Sequence, residues 1–274
     1  MKDKILLFIP GYNCENQILR VLNQIDEKVI KFVDEIIMVN NISTDSTEER
    51  VIEYIKMNTN VPIRLLRNQE NYGLGGSHKT AFNYAIDNEF DYVVVLHGDD
   101  QGDIHDLLPI IEKGIYKNYD CCLGARFMKG SILEGYSKFR TFGNLVYNVL
   151  FSIVVKRRIS DLGSGLNMYS KSMLNNRFWY KFPDKLTFNY CMIMAADYYK
   201  HKIMFFPISW REEDQISNVK MFNQAISVLK MLGKYFISKR DFIKSEFRNK
   251  IIEDYHADII YESEKYNEEK DKHI

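Results

Sequence analysis

A run of polar residues that could hold a divalent cation follows the apolar segment 92–96. It reads His97-Gly-Asp99-Asp-Gln101. Carboxylate and amide oxygens suit Mg²⁺ or Mn²⁺, whereas imidazole suits Mn²⁺ better than Mg²⁺. We therefore take Asp99, Gln101 and His97 as candidate ligands of a cation that would neutralise a diphosphate leaving group. Taken alone, the motif fits equally well a polar turn in which Asp103 caps the next helix.

Three other polar segments stand at comparable places along the chain. Pro10-Gly-Tyr-Asn13 ends the first apolar run, Asn40-Asn-Ile-Ser-Thr-Asp45 ends the second, and Asn71-Tyr-Gly-Leu-Gly-Gly76 opens a helix. Each of them alone fits a turn or a helix cap. Their order along the chain, together with the motif at His97, favours a ligand site.

Apolar runs and helical patterns alternate over roughly the first 125 residues. Strands are predicted at 5–9, 35–39, 63–66, 92–96 and 121–124, and helices at 16–30, 47–57, 77–88 and 103–117. This alternation predicts an α/β fold with a doubly wound, mostly parallel sheet and flanking helices. Ligands of such sheets bind beyond the carboxyl ends of the strands, where the polar segments 12–13, 40–45 and 97–103 fall.

The pattern changes after residue 125. It predicts a long apolar helix at 139–155, a glycine-rich loop at 161–165, a late strand at 203–209 and an amphipathic helix at 220–239. From about 240 the chain is densely charged, which predicts a weakly packed helix or a disordered tail. We therefore expect a main domain over 1–220, an amphipathic and membrane-associated helix over 221–240, and a charged tail over 241–274.

Bulk composition excludes several classes of protein. The 274 residues are 46% hydrophobic, which suffices for one large core, and 37 basic residues balance 37 acidic ones. That balance gives no reason to expect nucleic acid as a partner. The four cysteines have no zinc-site or disulfide spacing. Since no apolar run has the length of a signal peptide or a membrane span, we expect a cytoplasmic chain, at most peripheral on the inner face of the cell membrane.

Together the motifs resemble glycosyltransferase family 2, whose members have the GT-A fold, over about residues 4–222. The family has a Pro-x-Tyr-Asn turn, a paired-Asp segment, a glycine-rich helix start and an Asp-x-Asp motif in this order. Within it, the chain looks most like the polyprenyl-phosphate sugar transferases of the dolichol-phosphate mannose synthase type. That closer likeness lies in Gly124-Ala-Arg126, Arg140, Asp161-Leu-Gly-Ser-Gly165, Trp210-Arg211 and Ser217-Asn-Val-Lys220.

The resemblance implies an inverting hexosyltransferase that uses a divalent metal (Mn or Mg) and a UDP- or GDP-linked sugar. It implies donor contacts from Pro10, Tyr12, Asn13, Glu15, Asn40, Asn41, Gly73, Lys79, His97 and Gly98. It implies catalytic roles for Asp99, Asp161, Arg126 and Arg211, and acceptor contacts from Arg140, Asn144 and Ser164. Arg126 and Arg211 would bind phosphate, and Asp161 would be a base or orient the acceptor. The alternative for each arginine is a surface ion pair.

Three departures from the family pattern bear on the choice of substrate. Asn40-Asn41 stands where the family has paired Asp, one of which accepts the imide hydrogen of the base. Asn41 can still accept through its amide oxygen, but without the charge. His97 replaces the first Asp of the metal motif, which leaves Asp99 as the main ligand, and Asn167 replaces an arginine of the acceptor loop.

The acceptor is predicted to be a polyprenyl phosphate at the cytoplasmic membrane face. A sugar hydroxyl would need a general base, whereas a phosphate is already an anion. Family members with sugar acceptors carry an acid in the stretch that corresponds to 186–194, and this chain has none there. Helix 139–155 is highly apolar and ends in Lys156-Arg-Arg158, and helix 220–239 carries apolar residues beside lysines. Both patterns suit a lipid headgroup layer or ordinary packing against the sheet.

Other readings stay open. One is a family 2 transferase that extends a cell-surface glycan such as lipopolysaccharide or capsule. Another is a non-catalytic nucleotide-sugar-binding protein, favoured by the lost carboxylates at Asn40, Asn41 and His97. A nucleotidylyltransferase would carry basic residues in a glycine-rich loop after the first strand, which this chain lacks. A homo-oligomer is compatible with the sequence.

Overall fold

A computed structural model describes residues 2–212 and 221–266. The strands are β1 (Ile5–Gly11), β2 (Glu35–Asn40), β3 (Ile63–Asn68), β4 (Tyr92–Leu96), β5 (Cys121–Ala125), β6 (Ile132–Glu134), β7 (Leu166–Ser170), β8 (Ile203–Pro207), β9 (Ser209–Arg211) and β10 (Ala257–Glu262). The helices are α1 (Ile18–Leu22), α2 (Glu27–Ile30), α3 (Thr47–Met57), α4 (Gly73–Asp87), α5 (Leu108–Glu112), α6 (Lys138–Val155), α7 (Lys171–Leu174), α8 (Phe188–Tyr198), α9 (Met221–Ile237) and α10 (Lys239–Lys244).

Eight of these strands form one sheet in the order β10-β3-β2-β1-β4-β7-β5-β8. Strands β3, β2, β1 and β4 run parallel, as do β5 and β8. Strand β7 lies antiparallel between β4 and β5, and β10 adds antiparallel to β3. The predicted α/β fold with a mostly parallel sheet is confirmed.

The antiparallel strand β7 matters for the site. Because β7 runs opposite to β4 and β5, its first residue, Leu166, lies at the carboxyl ends of those strands. The glycine-rich loop 161–165 therefore meets the same edge of the sheet as the polar segments that follow β1, β2 and β4. Hydropathy did not single out β7 as a strand.

Helices cover both faces of the sheet. All seven residues of β1 are buried, with alternate side chains on opposite faces. Leu6 and Phe8 pack in a core with α4, α6 and α8, whereas Ile5, Leu7 and Ile9 pack in a second core with α1, α3 and α5. Two predicted helices are broken. Asp26 caps a new helix within 16–30, and Gly114 turns left-handed at φ 64° within 103–117.

The expected weakly packed tail is wrong for residues 241–266. Phe242 of α10 and Tyr255 are fully buried, and β10 completes the sheet. Lys250 also forms a salt bridge with Glu70. The many charged residues of this segment obscured the few large aromatic side chains that anchor it in the core. Residues 267–274 lie outside the described part of the chain.

Helix α9 lies where the sequence predicts an amphipathic helix, and the segment 217–220 lies outside the described residues. Val228, Leu232 and Tyr235 are buried in the core. In the described ranges, no helix combines the length and the apolar character needed to cross a membrane.

We predict that Phe242→Ala destabilises the protein, because Phe242 is fully buried and packs against Tyr235 and Phe247. The free energy of unfolding should fall by about 3–5 kcal/mol in a denaturant titration. Ile251→Ala is the control, since Ile251 is exposed. A change of less than about 0.5 kcal/mol in Phe242→Ala would show that the C-terminal segment is not part of the core.

Candidate active site

The ends of β1, β2 and β4 form the floor of the candidate site. Strand β1 lies between the other two, and Gly11 is paired with Asn40. The N–H of Gly98 donates to the carbonyl of Pro10 at 3.1 Å. A Cβ on Gly98 would lie 2.7 Å from that carbonyl oxygen, so only glycine allows the approach. The predicted donor residues Pro10 and Gly98 thus lie side by side.

The loops after β1 and β2 are fastened to each other by Asn13 and Glu15. The Asn13 side chain accepts from the N–H of Thr44 at 2.8 Å, and Glu15 accepts from the N–H of Ser46 at 2.9 Å. Tyr12, which directly precedes Asn13 in the same loop, is 51% exposed. Asn13 and Glu15 therefore shape the loops, while the Tyr12 ring faces outward, where a planar group could stack on it.

Asn40 and Asn41 are buried and hydrogen-bonded within the protein. Asn40 donates to Glu48 at 2.6 Å, and Asn41 donates to Asn71 at 2.8 Å. The Asn41 amide oxygen accepts from Asn68 and from the N–H of Tyr72, both at 2.9 Å. A backbone N–H can only donate, so the orientation of this amide is fixed. Contrary to expectation, the Asn41 oxygen is committed to two internal donors rather than offered to a base.

The glycine-rich start of α4 packs against the 182–184 segment. Gly73 has φ 72°, and a Cβ on it would lie 2.4 Å from the carbonyl oxygen of Asp184. The Lys79 ammonium is buried, 2.6 Å from the Phe182 carbonyl and 2.6 Å from the Asp184 carboxylate. Burial lowers the pKa of Lys79 to about 8, against the opposing effect of Asp184. The predicted donor contacts of Gly73 and Lys79 are therefore not supported, because both serve this packing.

Arg126 and Asp161 form a closed, buried ion pair. Two guanidinium nitrogens each lie 2.8 Å from a different carboxylate oxygen, and the N–H of Arg126 donates to Asp161 at 2.9 Å. Burial would raise the pKa of Asp161, but the charge and hydrogen bonds of Arg126 hold it below its ordinary value. The Trp210 ring covers the guanidinium at 4.8 Å. Asp161 is thus not arranged as a base, nor Arg126 as an open phosphate contact.

The other two predicted arginines are also paired with carboxylates. Arg211 forms an ion pair with Asp100, and Arg140 with Glu212. Both side chains remain about one-third exposed, at 36% for Arg211 and 31% for Arg140. Unlike Arg126, they can be reached from solvent.

Asp100 organises the loop that carries Asp99. Its backbone is left-handed at φ 59°, and its carboxylate is buried. Arg20 binds it at 2.7 Å and Gln24 at 3.1 Å, in addition to Arg211. Sequence reasoning missed Arg20 and Gln24, whose spacing of four residues at the end of α1 was the available signal.

Asp99 is half-buried, and burial raises its pKa to about 6, with the charge of Asp100 adding to the effect. A nearby cation would stabilise such a carboxylate. Within the described ranges, no three His, Cys, Asp or Glu side chains are grouped so that they could hold a metal. A cation bound through one carboxylate and substrate phosphates still fits these residues, since Mg²⁺ sites in proteins often have that form.

His97 is half-buried, and its ring Nε2 atom is buried. Its ring is 5.9 Å from the ring of His78 on α4. The backbone N–H of His97 donates to the Gly165 carbonyl at 2.9 Å. Burial, with a smaller effect of Arg126, lowers the pKa of His97 to about 4, so the ring is neutral at pH 7. Its Nε2 has no hydrogen-bond partner in the described part. Asp99 is therefore the better-placed metal ligand, with Gln101 two residues further along the same loop.

Two of the predicted acceptor residues, Asn144 and Ser164, form hydrogen bonds within the protein. Asn144 donates to the Tyr136 hydroxyl at 2.9 Å, and the Ser164 hydroxyl donates to the Leu166 carbonyl at 3.1 Å. Asn148 of α6 donates to the Ser160 carbonyl at 2.8 Å, which ties α6 to the loop 161–165. Asn144 and Ser164 thus hold the local structure, while Arg140 keeps an exposed face.

Comparison with known proteins places this geometry in context. The model of the family described as glycosyl transferase family 2 matches residues 7–178. The UDP-N-acetylglucosamine–dolichyl-phosphate N-acetylglucosaminyltransferase of Methanococcus voltae is 26% identical over 64% of this chain and 72% of its own length. The dolichyl-phosphate beta-glucosyltransferase of Dictyostelium discoideum is 23% identical over 83% of this chain and 73% of its own length. In two other relatives the match spans only 65% and 21% of their length.

Solved structures share the fold. Glucosyl-3-phosphoglycerate synthase from Mycobacterium tuberculosis, in complex with Mn²⁺, uridine diphosphate and glucosyl-3-phosphoglycerate, superposes with a TM-score of 0.58. The superposition covers 87% of this chain and 80% of the other, at 15% identity. At that identity the likeness concerns the GT-A fold alone.

The buried pair generates a prediction. Arg126→Met leaves the Asp161 carboxylate buried without its partner, so the free energy of unfolding should fall by about 3–5 kcal/mol. Arg177→Met is the matched control, because the Arg177–Asp87 pair is exposed and should contribute less than about 1 kcal/mol. Equal effects of both substitutions, measured by denaturant titration, would contradict the structural role of Arg126.

Proposed function

The chain belongs to glycosyl transferase family 2, and we propose that it moves one sugar, with inversion, from a nucleotide-sugar to a polyprenyl phosphate at a membrane face. The observation that carries the acceptor proposal is an exposed apolar surface on α6 and α9. Helix α6 is tied directly to the loop 161–165 at the site. Two relatives whose names specify dolichyl phosphate support the same acceptor class.

The donor side rests on the strand-end loops. We propose that Tyr12 stacks on the nucleobase, and that Pro10, Asn13, Glu15 and Gly98 shape its pocket. Asp99 and Gln101 would hold a divalent cation, which would supply neutralisation of the negative charge on the departing diphosphate. The Mn²⁺ and uridine diphosphate in the mycobacterial synthase support this choice of metal and leaving group.

The state of Asp161 supports a phosphate acceptor. A sugar hydroxyl needs a base to take its proton, whereas a phosphate oxygen attacks as an anion. Both oxygens of Asp161 are held by Arg126, which is consistent with a reaction that needs no base there. We propose that Arg140 and Arg211, which remain partly exposed, contact the acceptor phosphate, and that Arg126 positions Asp161 and the loop.

The apolar surface combines two helices. Its exposed residues are Phe139, Phe142, Leu145, Val146, Val149 and Ile153 on α6, and Ile226, Leu229, Phe236 and Ile237 on α9. A groove of about 290 Å³ lies between the helices. Exposed Lys138, Lys156, Arg158 and Lys230 lie on or next to the same helices. An apolar face edged by cations suits an anionic lipid surface.

An assay of nucleotide diphosphate release tests the function. Purified protein with Mn²⁺ would be given UDP- and GDP-sugars, with and without a short polyprenyl phosphate. We expect release that rises at least about tenfold with the lipid phosphate, and that falls about a hundredfold or more in Asp99→Asn. Asp103→Asn is the control, since Asp103 follows the same strand but caps the next turn.

The other outcomes separate the alternatives. Slow release that ignores lipid phosphate would favour a saccharide acceptor. Nucleotide-sugar binding without any release would favour the non-catalytic protein. Full activity of Asp99→Asn would defeat the metal assignment.

Membrane association has its own test. Phe142→Glu should weaken binding to anionic phospholipid vesicles at least about tenfold in a flotation assay, because it places a charge in the apolar surface. Met57→Glu on α3 serves as the control, since Met57 is equally open to solvent on another helix. If both variants float like the wild type, the α6–α9 surface does not bind lipid.

A further inference from the structure

A small cavity lies beneath the loop 161–165, and none of the roles assigned above uses it. Its volume of about 10 Å³ admits a single water-sized group. The wall includes Gly163, Ser164, Asn167 and Asn189. The cavity is therefore polar on one side and too small for anything larger than one hydroxyl.

The cavity sits at the site. The loop above it is joined to the end of β4 through the His97 N–H and Gly165 carbonyl, at 2.9 Å. It is joined to the end of β5 through Arg126 and Asp161. Asp99 follows His97 by two residues, so the cavity and the candidate metal ligand lie at neighbouring strand ends.

Asn189 is the unusual residue of this wall. It stands in the first turn of α8 and is only 7% exposed. Its buried amide oxygen has no hydrogen-bond partner in the described part of the chain. Buried polar atoms nearly always have a partner, so this oxygen calls for a donor from outside the chain.

Two neighbouring donors are already used, and Tyr169, which also lines the cavity, donates no hydrogen bond to the Asn189 oxygen. The Ser164 hydroxyl donates to Leu166 at 3.1 Å, and the Asn167 amide donates to the Ser164 carbonyl at 2.9 Å. The Asp161 carboxylate is held by Arg126 and can only accept. The wall thus offers an acceptor and no obvious internal donor to it.

The mouth of the cavity lies at Gly163, the one lining residue that is not buried. A Cβ on Gly163 would stand 3.7 Å from the Asn189 amide nitrogen, which is an ordinary contact distance. Its backbone does not lie in the left-handed region that favours glycine. An alanine here would therefore narrow the entrance without straining the loop.

We propose that this cavity is a specificity subsite in which Asn189 accepts a hydrogen bond from one hydroxyl of the sugar being transferred. This proposal rests on the proposed glycosyl transfer, and it adds which sugars the site accepts. A sugar with a hydroxyl at that position binds, a deoxy analogue leaves the oxygen unpaired, and a bulkier substituent does not fit.

Calorimetric titration of the full chain with Mn²⁺ tests the proposal, using UDP, UDP-glucose, UDP-N-acetylglucosamine, GDP and GDP-mannose. The variants are Asn189→Leu, which removes the acceptor at similar volume, Gly163→Ala, which narrows the mouth, and Asn189→Asp, which keeps an acceptor oxygen. We expect the first two to bind the free nucleotide diphosphate like the wild type. They should bind the preferred nucleotide-sugar at least about tenfold more weakly, with Asn189→Asp closer to the wild type.

Thermal unfolding of Asn189→Leu should match or exceed that of the wild type, because an unpaired acceptor is lost. If nucleotide-sugar binding is unchanged in both Asn189→Leu and Gly163→Ala, the proposal is overturned. A raised acceptor KM in the release assay would then assign the hydroxyl to the acceptor, and an unchanged KM would assign the cavity to an internal water. If the wild type binds no nucleotide, the proposed function itself fails, and this subsite falls with it.

Discussion

The buried carboxylate of Asp100 connects the parts of the chain that form the candidate site. Arg20 from α1 and Arg211 from β9 bind it, and its own left-handed backbone is held in place by these contacts. A buried charge is stable only with such partners. A shift of the loop after β4 would leave the buried Asp100 carboxylate without them, so the loop is held in place. The loop that carries Asp99 is therefore held by contacts with both α1 and β9.

The same rule of charge pairing governs the arginines. Arg126, Arg140 and Arg211 each have a carboxylate partner. The positive charges at the site are therefore already neutralised within the protein. An arriving phosphate would compete with Glu212 or Asp100 for guanidiniums that solvent can reach. It would not reach Arg126, which Asp161 and the Trp210 ring enclose. Phosphate binding at these arginines would thereby be coupled to the ion pairs that hold the loops.

The sequence predicted the strands of the parallel sheet because buried strands are continuous apolar runs ended by glycine, proline or asparagine. It also predicted which loops meet, since the carboxyl ends of parallel strands share an edge. It could not predict where side chains such as Asn41 and Lys79 point. Both residue types suit a nucleotide site. In the structure, however, Asn41 and Lys79 form hydrogen bonds with Asn68 and Asp184, which are distant in sequence. The charged C-terminal segment was misjudged for the same reason, because Tyr255 is anchored by contacts with Tyr72 and Asp184, which are remote in sequence.

Strand β10 has a consequence for how the chain is made. It covers the outer edge of β3, and its Glu262 pairs with Arg64 across 198 positions of sequence. During synthesis the parallel strands can pair long before residues 257–262 emerge from the ribosome. Throughout that interval β3 offers an open row of N–H and C=O groups, the kind of edge at which nascent chains associate wrongly. Among the described strands, the last to be translated is thus the one that covers the edge of β3.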